Sequence, residues 1–382
     1  MRGKSENLID SINNLMKIII ITPYWLQTKG GITTAVYYLS SELRNKGHLV
    51  EVLTPDGGPE TVRLSKNRMR IMFQIIKILQ KIKPDVIHAH AHGSLLLGSV
   101  IYKLLFNKHI RIIFTFHTQP HTQSFLIGKP TKERGIFRQF IFNYLLKYCD
   151  ATTYVSRSLM ESLSKTGVKI VNPVVILNGV MAKTANSEDT INFKQKYNLK
   201  NNYPILCIIA TLAWDWKVKG VMILIEALKK VAISQPEARL LIVGDGQYRK
   251  YLEDYTKKEN LEKKVIFTGN MDNPFIALFV CDVYCHISLN EALPIAPLEA
   301  MVSGKPVIAS NDGGLPEIIT DGLNGILVDS NPNSVAEAIL TLVEKPNFMR
   351  NLSENAIITA KTKFSWEKIA REYIKLYKNE AI

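Results

Sequence analysis

Two glutamates, Glu291 and Glu299, stand eight residues apart at the junction of a predicted strand and a predicted helix. Glu291 directly follows the strand, and Glu299 lies inside the helix, which opens at Pro294 or Ile295. The free N–H groups at the start of such a helix suit a diphosphate, and a carboxylate one turn further in can accept hydrogen bonds from a ribose diol. A solvated helix face is the plainer alternative. The apolar neighbours of Glu299 count against it, because carboxylates are rarely buried without a partner.

Histidines form a second group with possible chemistry. His88, His90 and His92 alternate along one predicted strand end and would share a face, which invites a metal interpretation. No carboxylate or cysteine joins them, so we predict no metal site. His117 follows another predicted strand, where a lone histidine is more often a hydrogen-bonded structural residue.

Short apolar strands alternate with longer helical patterns in both halves of the chain, and these elements must position the glutamates and the histidines. Strands are predicted at 17–22, 48–54, 86–90, 111–116, 151–155, 174–177, 205–210, 239–243, 265–268, 283–286, 306–309 and 325–328. Helices are predicted at 33–46, 66–81, 95–106, 135–148, 157–165, 220–234, 248–259, 274–280, 294–303 and 314–319. Strands that are apolar throughout indicate parallel sheets covered on both faces. We therefore predict two doubly wound α/β domains, whose ligands bind beyond the carboxyl ends of the strands.

The domain boundaries follow from changes in composition. Residues 1–15 are polar and read as an extension, with Met16 as an alternative start, and residues 16–182 form the first domain. The second domain spans 183–364 after a polar, aperiodic stretch at 182–189. A last helix within 365–382 is long enough to cross back to the first domain.

Composition places the chain among globular proteins: 46% of its 382 residues are hydrophobic and 21% are charged. Four scattered cysteines favour a reducing cytoplasm over a disulfide framework. No segment is long and apolar enough to span a bilayer. The net charge of +14 comes from residues 1–182, which carry 24 Lys and Arg against 10 Asp and Glu, whereas residues 183–382 carry 24 of each. This asymmetry favours either an acidic partner for the first half or simple solubility.

A series of motifs spans nearly the whole chain from Met16 onward and resembles one family. The motifs are Gly30-Gly31, Asp85-Val-Ile-His-Ala-His90, Phe116-His117-Thr118, Asn178-Gly179-Val180, Gly244-Asp-Gly246, Phe267-Thr-Gly269, the pair Glu291 and Glu299, Lys305-Pro306-Val307-Ile308-Ala309, Gly313-Gly314-Leu-Pro-Glu317 and Phe364-Ser365-Trp366. Together they resemble the retaining GT-B glycosyltransferases, specifically glycosyltransferase family four (glycosyl transferases group 1). The resemblance implies the GT-B architecture of two Rossmann-like domains facing a central cleft, the first on the acceptor side and the second on the donor side.

The resemblance also implies an activity and its residues. A sugar would move from a nucleotide-diphosphate donor, a UDP- or GDP-sugar, to an acceptor hydroxyl with retention, without a metal ion or other cofactor. Glu299 would hold the ribose, Glu291 the sugar, and Lys219 the leaving diphosphate, while His117 joins Glu291 at the reaction centre and His90 lines the acceptor side. The implied donor-binding set is Gly30, Gly31, Lys217, Lys219, Gly244, Asn270, Leu293, Pro294, Ile295 and Glu299.

One departure from the family pattern keeps alternatives open. The family's arginine ahead of Lys219 is absent from the stretch Thr211-Leu-Ala-Trp-Asp215, so either Lys217 supplies the second positive charge or the donor site is weaker than usual. A nucleotide-sugar epimerase and a catalytically silent sugar-nucleotide-binding relative on the same fold remain alternatives. Conversion of the donor without an acceptor would identify the epimerase.

A basic stripe on the helix predicted at 66–81 suggests where the acidic partner binds. On a helix of 3.6 residues per turn, Lys66, Arg70, Lys77 and Lys81 fall within about 60° of one another. A core helix with a solvated basic face is the commoner outcome of such a pattern. We hypothesise instead that the stripe rests on an anionic membrane and that the acceptor is a glycan or is lipid-linked. The expected location is the cytoplasm, peripheral on the inner face of the cell membrane. Nucleic acid is not expected, because no recognised module and no aromatic stacking pattern accompany the charge.

Overall fold

The structure, a computed structural model, describes residues 15–25, 30–90, 93–118 and 132–381, with the backbone alone described for 132–138. The expectation about an extension over residues 1–15 lies almost wholly outside these residues. The chain divides into two compact units, one of Met1–Asn178 with Trp366–Ile382 and the other of Gly179–Ser365. Helices and strands are numbered along the described residues.

The first unit is an α/β fold built on one sheet of parallel strands. Its strands are β1 (Lys17–Ile21), β2 (Leu49–Thr54), β3 (Thr61–Arg63), β4 (Val86–Ala89), β5 (Arg111–Phe116), β6 (Ala151–Tyr154) and β7 (Pro173–Val175). Its helices are α1 (Gly31–Asn45), α2 (Arg68–Ile82), α3 (Ser94–Leu105), α4 (Lys132–Leu146), α5 (Arg157–Ser164) and α14 (Trp366–Lys378). The strands lie in the order β3-β2-β1-β4-β5-β6-β7. The four consecutive isoleucines of β1 are all fully buried and suit its interior position in the sheet, because β-branched residues favour a strand covered on both faces.

The second unit repeats this architecture. Its strands are β8 (Ile205–Ile209), β9 (Arg239–Val243), β10 (Val265–Gly269), β11 (Val283–His286), β12 (Val307–Ser310) and β13 (Ile326–Val328). Its helices are α6 (Ser187–Lys196), α7 (Asp215–Ser234), α8 (Arg249–Lys258), α9 (Phe275–Val280), α10 (Ile295–Val302), α11 (Leu315–Ile318), α12 (Pro332–Glu344) and α13 (Pro346–Lys363). Its parallel strands lie in the order β10-β9-β8-β11-β12-β13.

Both sheets reverse their strand order next to their first strand, and this determines where ligands can bind. The reversal lies between β1 and β4 in the first unit and between β8 and β11 in the second. The loops that leave two such neighbouring strands diverge to opposite faces of the sheet and leave a crevice at its carboxyl edge. The crevice of the second unit is therefore bounded by the segments that follow β8 and β11.

Some sequence-based boundaries were wrong. Helix α7 begins at Asp215, five residues before the predicted start at Gly220, so Lys217 and Lys219 lie in its first turns. Helix α6 begins inside the stretch expected to be aperiodic, where the side chain of Asn186 accepts a hydrogen bond from the backbone N–H of Glu188 at 3.2 Å. Strand β3 and helices α12 and α13 were not predicted.

Candidate active site

The strand reversal of the second unit brings Glu291 and Lys217 together. Glu291 lies in the loop after β11, and Lys217 lies in the first turn of α7, the helix after β8. The Lys217 ammonium is 2.7 Å from Oε1 of Glu291, whose side chain is only 8% exposed. The ring of His286, the last residue of β11, reaches the other carboxylate oxygen, with Nε2 3.0 Å from Oε2. Glu291 is thus a buried carboxylate with a different partner on each oxygen.

These two partners keep Glu291 ionised. Burial alone would raise the pKa of Glu291, because a low-dielectric environment disfavours the charged form. The nearby positive charge of Lys217 and the contact with His286 outweigh burial, and together they hold the pKa of Glu291 well below its ordinary value. At neutral pH the site therefore presents a carboxylate that can only accept hydrogen bonds.

The loop that carries Glu291 is braced by the last residue of β12 and by the residues that follow it. The hydroxyl of Ser310 accepts from Ser288 N–H at 2.8 Å, and Asp312 accepts from Asn290 N–H at 2.9 Å. The Gly314 N–H donates to the carbonyl oxygen of Glu291 at 2.8 Å. Loops are usually the mobile parts of a fold, so these backbone contacts are what give Glu291 a fixed position.

Gly313 lets the chain pass close to Glu291. Its φ of +59° belongs to the left-handed region, and a Cβ at this position would lie 2.2 Å from the Glu291 carbonyl oxygen. Both observations require a residue without a side chain. The Gly-Gly pair at 313–314 is therefore a structural support of the site.

Glu299 is positioned by helix α10, which begins at Ile295 behind the N-cap residue Pro294. Part of its side chain remains accessible, but the carboxyl is enclosed enough for burial to raise its pKa to about 7, against a smaller opposite effect of Lys183. Among the described residues no side chain or backbone N–H donates a hydrogen bond to this carboxylate. Glu299 therefore has acceptor capacity that a ligand can use.

The two lysines of α7 have different surroundings. Lys217 is 27% exposed and paired with Glu291, whereas Lys219 is exposed and, among the described residues, forms no ion pair. Two positions along a helix correspond to about 200° of rotation, so the two side chains leave the helix in different directions. Trp214 and Trp216, which flank the helix start, stack with ring centroids 5.2 Å apart.

The remaining residues of the predicted donor set occupy strand ends and loops of both units. Gly244 follows β9 and donates its N–H to Gly269 at 2.9 Å, and Asn270 is exposed directly after β10. Leu293 and Ile295 are buried at the start of α10. In the first unit, Gly30 is the N-cap of helix α1 and Gly31 its first residue, and no atom of the described residues lies within 4 Å of a Cβ placed on either.

In the first unit, His90 and His117 share a hydrogen bond. Nδ1 of His90 lies 2.7 Å from Nε2 of His117, and His88 packs against His90 with ring centroids 4.0 Å apart. His88 in turn bonds the hydroxyls of Tyr377 and Thr115, each at 2.6 Å. Burial lowers the pKa of His88 to about 3, and the nearby charge of His117 adds to this effect. Burial also lowers the pKa of His117 to about 4, although part of that ring remains accessible. Burial likewise holds the pKa of His90 well below its ordinary value, so all three rings are neutral at physiological pH.

Hydrogen bonds and ring packing hold the described histidines in place. Across residues 15–25, 30–90, 93–118 and 132–381, no three His, Cys, Asp or Glu side chains are arranged to hold a metal ion. His92, the third histidine of the alternating series, lies outside the described residues. His88 uses both ring nitrogens for hydrogen bonds to hydroxyl groups.

The basic stripe lies on helix α2 with exposed side chains. Arg70, Lys77 and Lys81 are exposed along the helix, and Lys66 is exposed just before it. Ile71, Ile75 and Leu79 are buried on the other side. The large apolar residues Met69 and Phe73 are 64% and 56% exposed, and by helical geometry they lie next to the basic side chains. None of the described helices is long and apolar enough to cross a membrane.

Sequence reasoning missed His286, Ser310 and Asp312. The available signal for His286 was its position five residues before Glu291 at the end of an apolar strand. Ser310 and Asp312 gave no signal, because their contacts depend on the adjacency of β11 and β12.

Comparisons with known proteins agree with this architecture. The family model of the glycosyl transferases group 1 matches residues 189–359, and that of Glycosyltransferase Family 4 matches residues 29–183. An uncharacterised glycosyltransferase of Methanocaldococcus jannaschii is 30% identical over 77% of this chain and 75% of its own length. The alpha-monoglucosyldiacylglycerol synthase of Acholeplasma laidlawii is 24% identical over 91% of this chain and 93% of its own.

A solved structure shows the same fold. The Anabaena protein HepE, in complex with UDP-glucose, superposes with a TM-score of 0.79 at 20% identity, over 95% of this chain and all of its own (100%). The prediction of the GT-B architecture is thereby confirmed, with sheets of seven and six parallel strands. The predicted family is confirmed as well: the chain belongs to the glycosyl transferases group 1 and is a glycosyltransferase that acts on nucleotide sugars.

Proposed function

We propose that this glycosyltransferase transfers its sugar with retention of configuration, without a metal ion, to an acceptor of glycolipid or cell-surface polysaccharide synthesis. The observation that carries the proposal is the pair of glutamates with opposite properties. Glu291 is ionised and held on both oxygens, whereas Glu299 is enclosed and its carboxylate accepts no hydrogen bond from the described part of the chain, with its pKa raised to about 7. A ribose diol is the kind of ligand that satisfies Glu299, because two adjacent hydroxyls can donate to one carboxylate.

The leaving diphosphate needs positive charge where its bond to the sugar breaks. The transition state resembles an oxocarbenium ion, and the diphosphate oxygen gains negative charge as it departs. Lys217 already neutralises Glu291, whereas Lys219 forms no ion pair among the described residues. We assign stabilisation of the diphosphate to Lys219 and to the N–H groups that open helix α10, which together replace the usual divalent cation.

The roles that we propose for Glu291 and His117 follow from the protonation state of each side chain. Glu291 accepts hydrogen bonds from hydroxyls of the donor sugar, and His117, neutral because of its lowered pKa, contacts the sugar as a hydrogen-bonding group. The acceptor hydroxyl attacks from the face that the diphosphate leaves, so no carboxylate nucleophile is needed. Gly30 and Gly31, whose Cβ positions meet no atom of the described residues, would admit the diphosphate to their backbone, and we assign further donor contacts to Gly244, Asn270, Leu293 and Pro294.

The base and sugar of the donor are tested by a panel of UDP-, GDP- and ADP-sugars. We expect a UDP- or GDP-sugar to raise the melting temperature of the parent protein and to have a smaller effect on Glu299→Ala. NMR of the product should show the anomeric configuration of the donor, and an excess of chelator should leave the rate unchanged. An inverted anomer would refute retention, and loss of turnover with chelator would refute metal independence.

We further propose that helix α2 rests on an anionic membrane, near a lipid-linked acceptor. The exposed cations of α2 attract anionic headgroups, and the exposed side chains of Met69 and Phe73 can enter the headgroup region between them. The relative in Acholeplasma laidlawii carries the name of a glucosyldiacylglycerol synthase, which supports a lipid acceptor. The chain would then act on the cytoplasmic side as a peripheral protein.

Sedimentation with vesicles tests the membrane proposal. We expect binding to phosphatidylglycerol vesicles but not to phosphatidylcholine vesicles, and release by salt. The test variant exchanges four basic residues of the stripe for glutamine: Lys66, Arg70, Lys77 and Lys81. A control variant loses the same charge from exposed lysines of the second unit: Lys257, Lys258, Lys263 and Lys363. Equal loss of binding in both variants would show that net charge, and not helix α2, is responsible.

A further inference from the structure

His286 is buried at the end of β11 and bonded on both sides of its ring. Its side chain is 4% exposed, and Nε2 lies 3.0 Å from Oε2 of Glu291. Nδ1 lies 3.0 Å from the hydroxyl of Tyr284, a fully buried residue two positions earlier on the same face of the strand. Tyr284, His286 and Glu291 thus form a continuous hydrogen-bonded series that leads from the core of the second unit to the carboxylate.

The direction of one hydrogen bond follows from the charge of Glu291. An ionised carboxylate has no hydrogen to donate, so Nε2 of His286 must carry the hydrogen and donate it. Lys217 contacts the other oxygen at 2.7 Å. Because the ion pair with Lys217 holds one oxygen and the hydrogen bond from His286 holds the other, the carboxylate cannot rotate about its terminal bond without losing a contact in a low-dielectric environment.

We propose that His286 is a positioning residue for the transfer reaction, which fixes the plane of the Glu291 carboxylate so that its remaining lone pairs face the hydroxyls of the donor sugar. His286 acts only through Glu291 and does not touch the donor. This inference rests on the proposed role of Glu291 in holding the sugar. A carboxylate whose orientation is already fixed lowers the activation barrier, because it does not have to be reoriented as the bond between the sugar and the diphosphate breaks.

Two substitutions of His286 test the contributions of its two ring nitrogens separately. In His286→Gln the amide nitrogen can take the place of Nε2 and still donate to Glu291, whereas in His286→Asn the shorter amide reaches only the Tyr284 side. With an activated donor, we expect His286→Gln to keep kcat within roughly threefold of the parent and His286→Asn to lower kcat on the order of a hundredfold, with a smaller change in KM. In a Glu291→Gln background the difference between the two variants should vanish. Equal kcat values for the two variants in the parent background would overturn the proposal.

Acid unfolding provides a readout that needs no substrate. The pKa of folded Glu291 lies below its ordinary value of 4.5, so this group adds stability that is present above pH 4.5 and is lost as the pH falls through the folded pKa. Without the donor of His286 that pKa rises, and His286→Asn should unfold at a higher pH than His286→Gln. Acid-unfolding midpoints that coincide for the two variants would also overturn the proposal. If the parent turns over no nucleotide sugar, the proposed function fails, and this comparison still decides whether His286 holds Glu291.

Discussion

Nδ1 of His90 and Nε2 of His117 are 2.7 Å apart, and the two rings stack with an angle of 28° between their planes. Nε2 of His90, on the other side of its ring, is buried and has no hydrogen-bond partner among the described residues. A buried N–H without an acceptor is rarer and less favourable than a bare ring nitrogen. His90 therefore carries its hydrogen on Nδ1 and donates it to His117, whose own hydrogen must then be on Nδ1.

This arrangement predicts the tautomer of His117. We expect NMR of protein labelled with ¹⁵N-histidine to show His117 in the Nδ1–H form, with the signal assigned by its loss in His117→Gln. Because the pKa of His117 is lowered to about 4, the ring stays neutral above that pH, and the signal should not move between pH 8 and pH 6. Titration near the ordinary value of 6.5, or an Nε2–H form, would contradict the hydrogen-bond assignment.

The raised pKa of Glu299 predicts that nucleotide binding depends on pH. Ribose hydroxyls donate to the ionised carboxyl, and the free protein ionises this group only as the pH rises through about 7. By calorimetry, we expect the affinity for UDP or GDP to rise between pH 6 and pH 8 and Glu299→Gln to bind roughly tenfold or more weakly at pH 8. The phosphate of the nucleotide titrates in both proteins alike. The same pH dependence in Glu299→Gln would therefore exclude Glu299 as its source.

Lys217 and Lys219 should respond differently to the same substitution. Lys217→Met leaves the buried Glu291 carboxylate without its cation, and because Lys217 is partly exposed we expect a loss of roughly 2 kcal/mol in the free energy of unfolding. Lys219 is exposed, so Lys219→Met should change that free energy by less than about 0.5 kcal/mol yet weaken donor binding. Urea unfolding and donor titration of both variants provide the comparison. A loss of stability in Lys219→Met would contradict the assignment of Lys219 to the diphosphate, because Lys219 would then be supporting the fold.

Gly313 has a matched control in Gly322. Both have a positive φ, +59° and +71°, but a Cβ at position 313 meets the Glu291 backbone, whereas a Cβ at position 322 has no atom of the described residues within 4 Å. We expect Gly322→Ala to cost about 1 kcal/mol of unfolding free energy from backbone strain alone. Gly313→Ala should cost roughly 2–4 kcal/mol and lower activity, because the loop of Glu291 must move. Equal losses would mean that the close approach to Glu291 contributes nothing.

The fold was predictable where burial leaves a pattern in the sequence. The run of isoleucines in β1 and the apolar strand β9 were placed to within one residue, because strands covered on both faces are apolar throughout. Helix α6 was missed because Phe193 is its only buried residue, which leaves no apolar stripe to read. The early start of α7 was missed because Trp214, Asp215 and Trp216 resemble a loop in isolation.

The candidate site was predictable as a set of residues but not as a set of contacts. Glu291 and Glu299 are visible in the sequence because their spacing spans a strand end and a helix. The partner of Glu291 was expected to be the sugar alone, and the structure adds Lys217 and His286. The Lys217 contact arises from the adjacency of β8 and β11, which lie more than seventy residues apart in sequence, so no local pattern records it. His286 is only five residues from Glu291, but nothing in the sequence shows that its ring turns towards the carboxylate.

The first unit is not one continuous stretch of chain, and this has a consequence for how the protein is made. Helix α14 belongs to that unit: Trp366 stacks on Tyr38 with centroids 6.1 Å apart, and Tyr377 bonds His88. A ribosome releases α14 only after the whole second unit has been synthesised. During translation the nascent first unit therefore waits with the surroundings of His88 incomplete, and a premature stop codon before Trp366 would damage the half of the protein that was synthesised first.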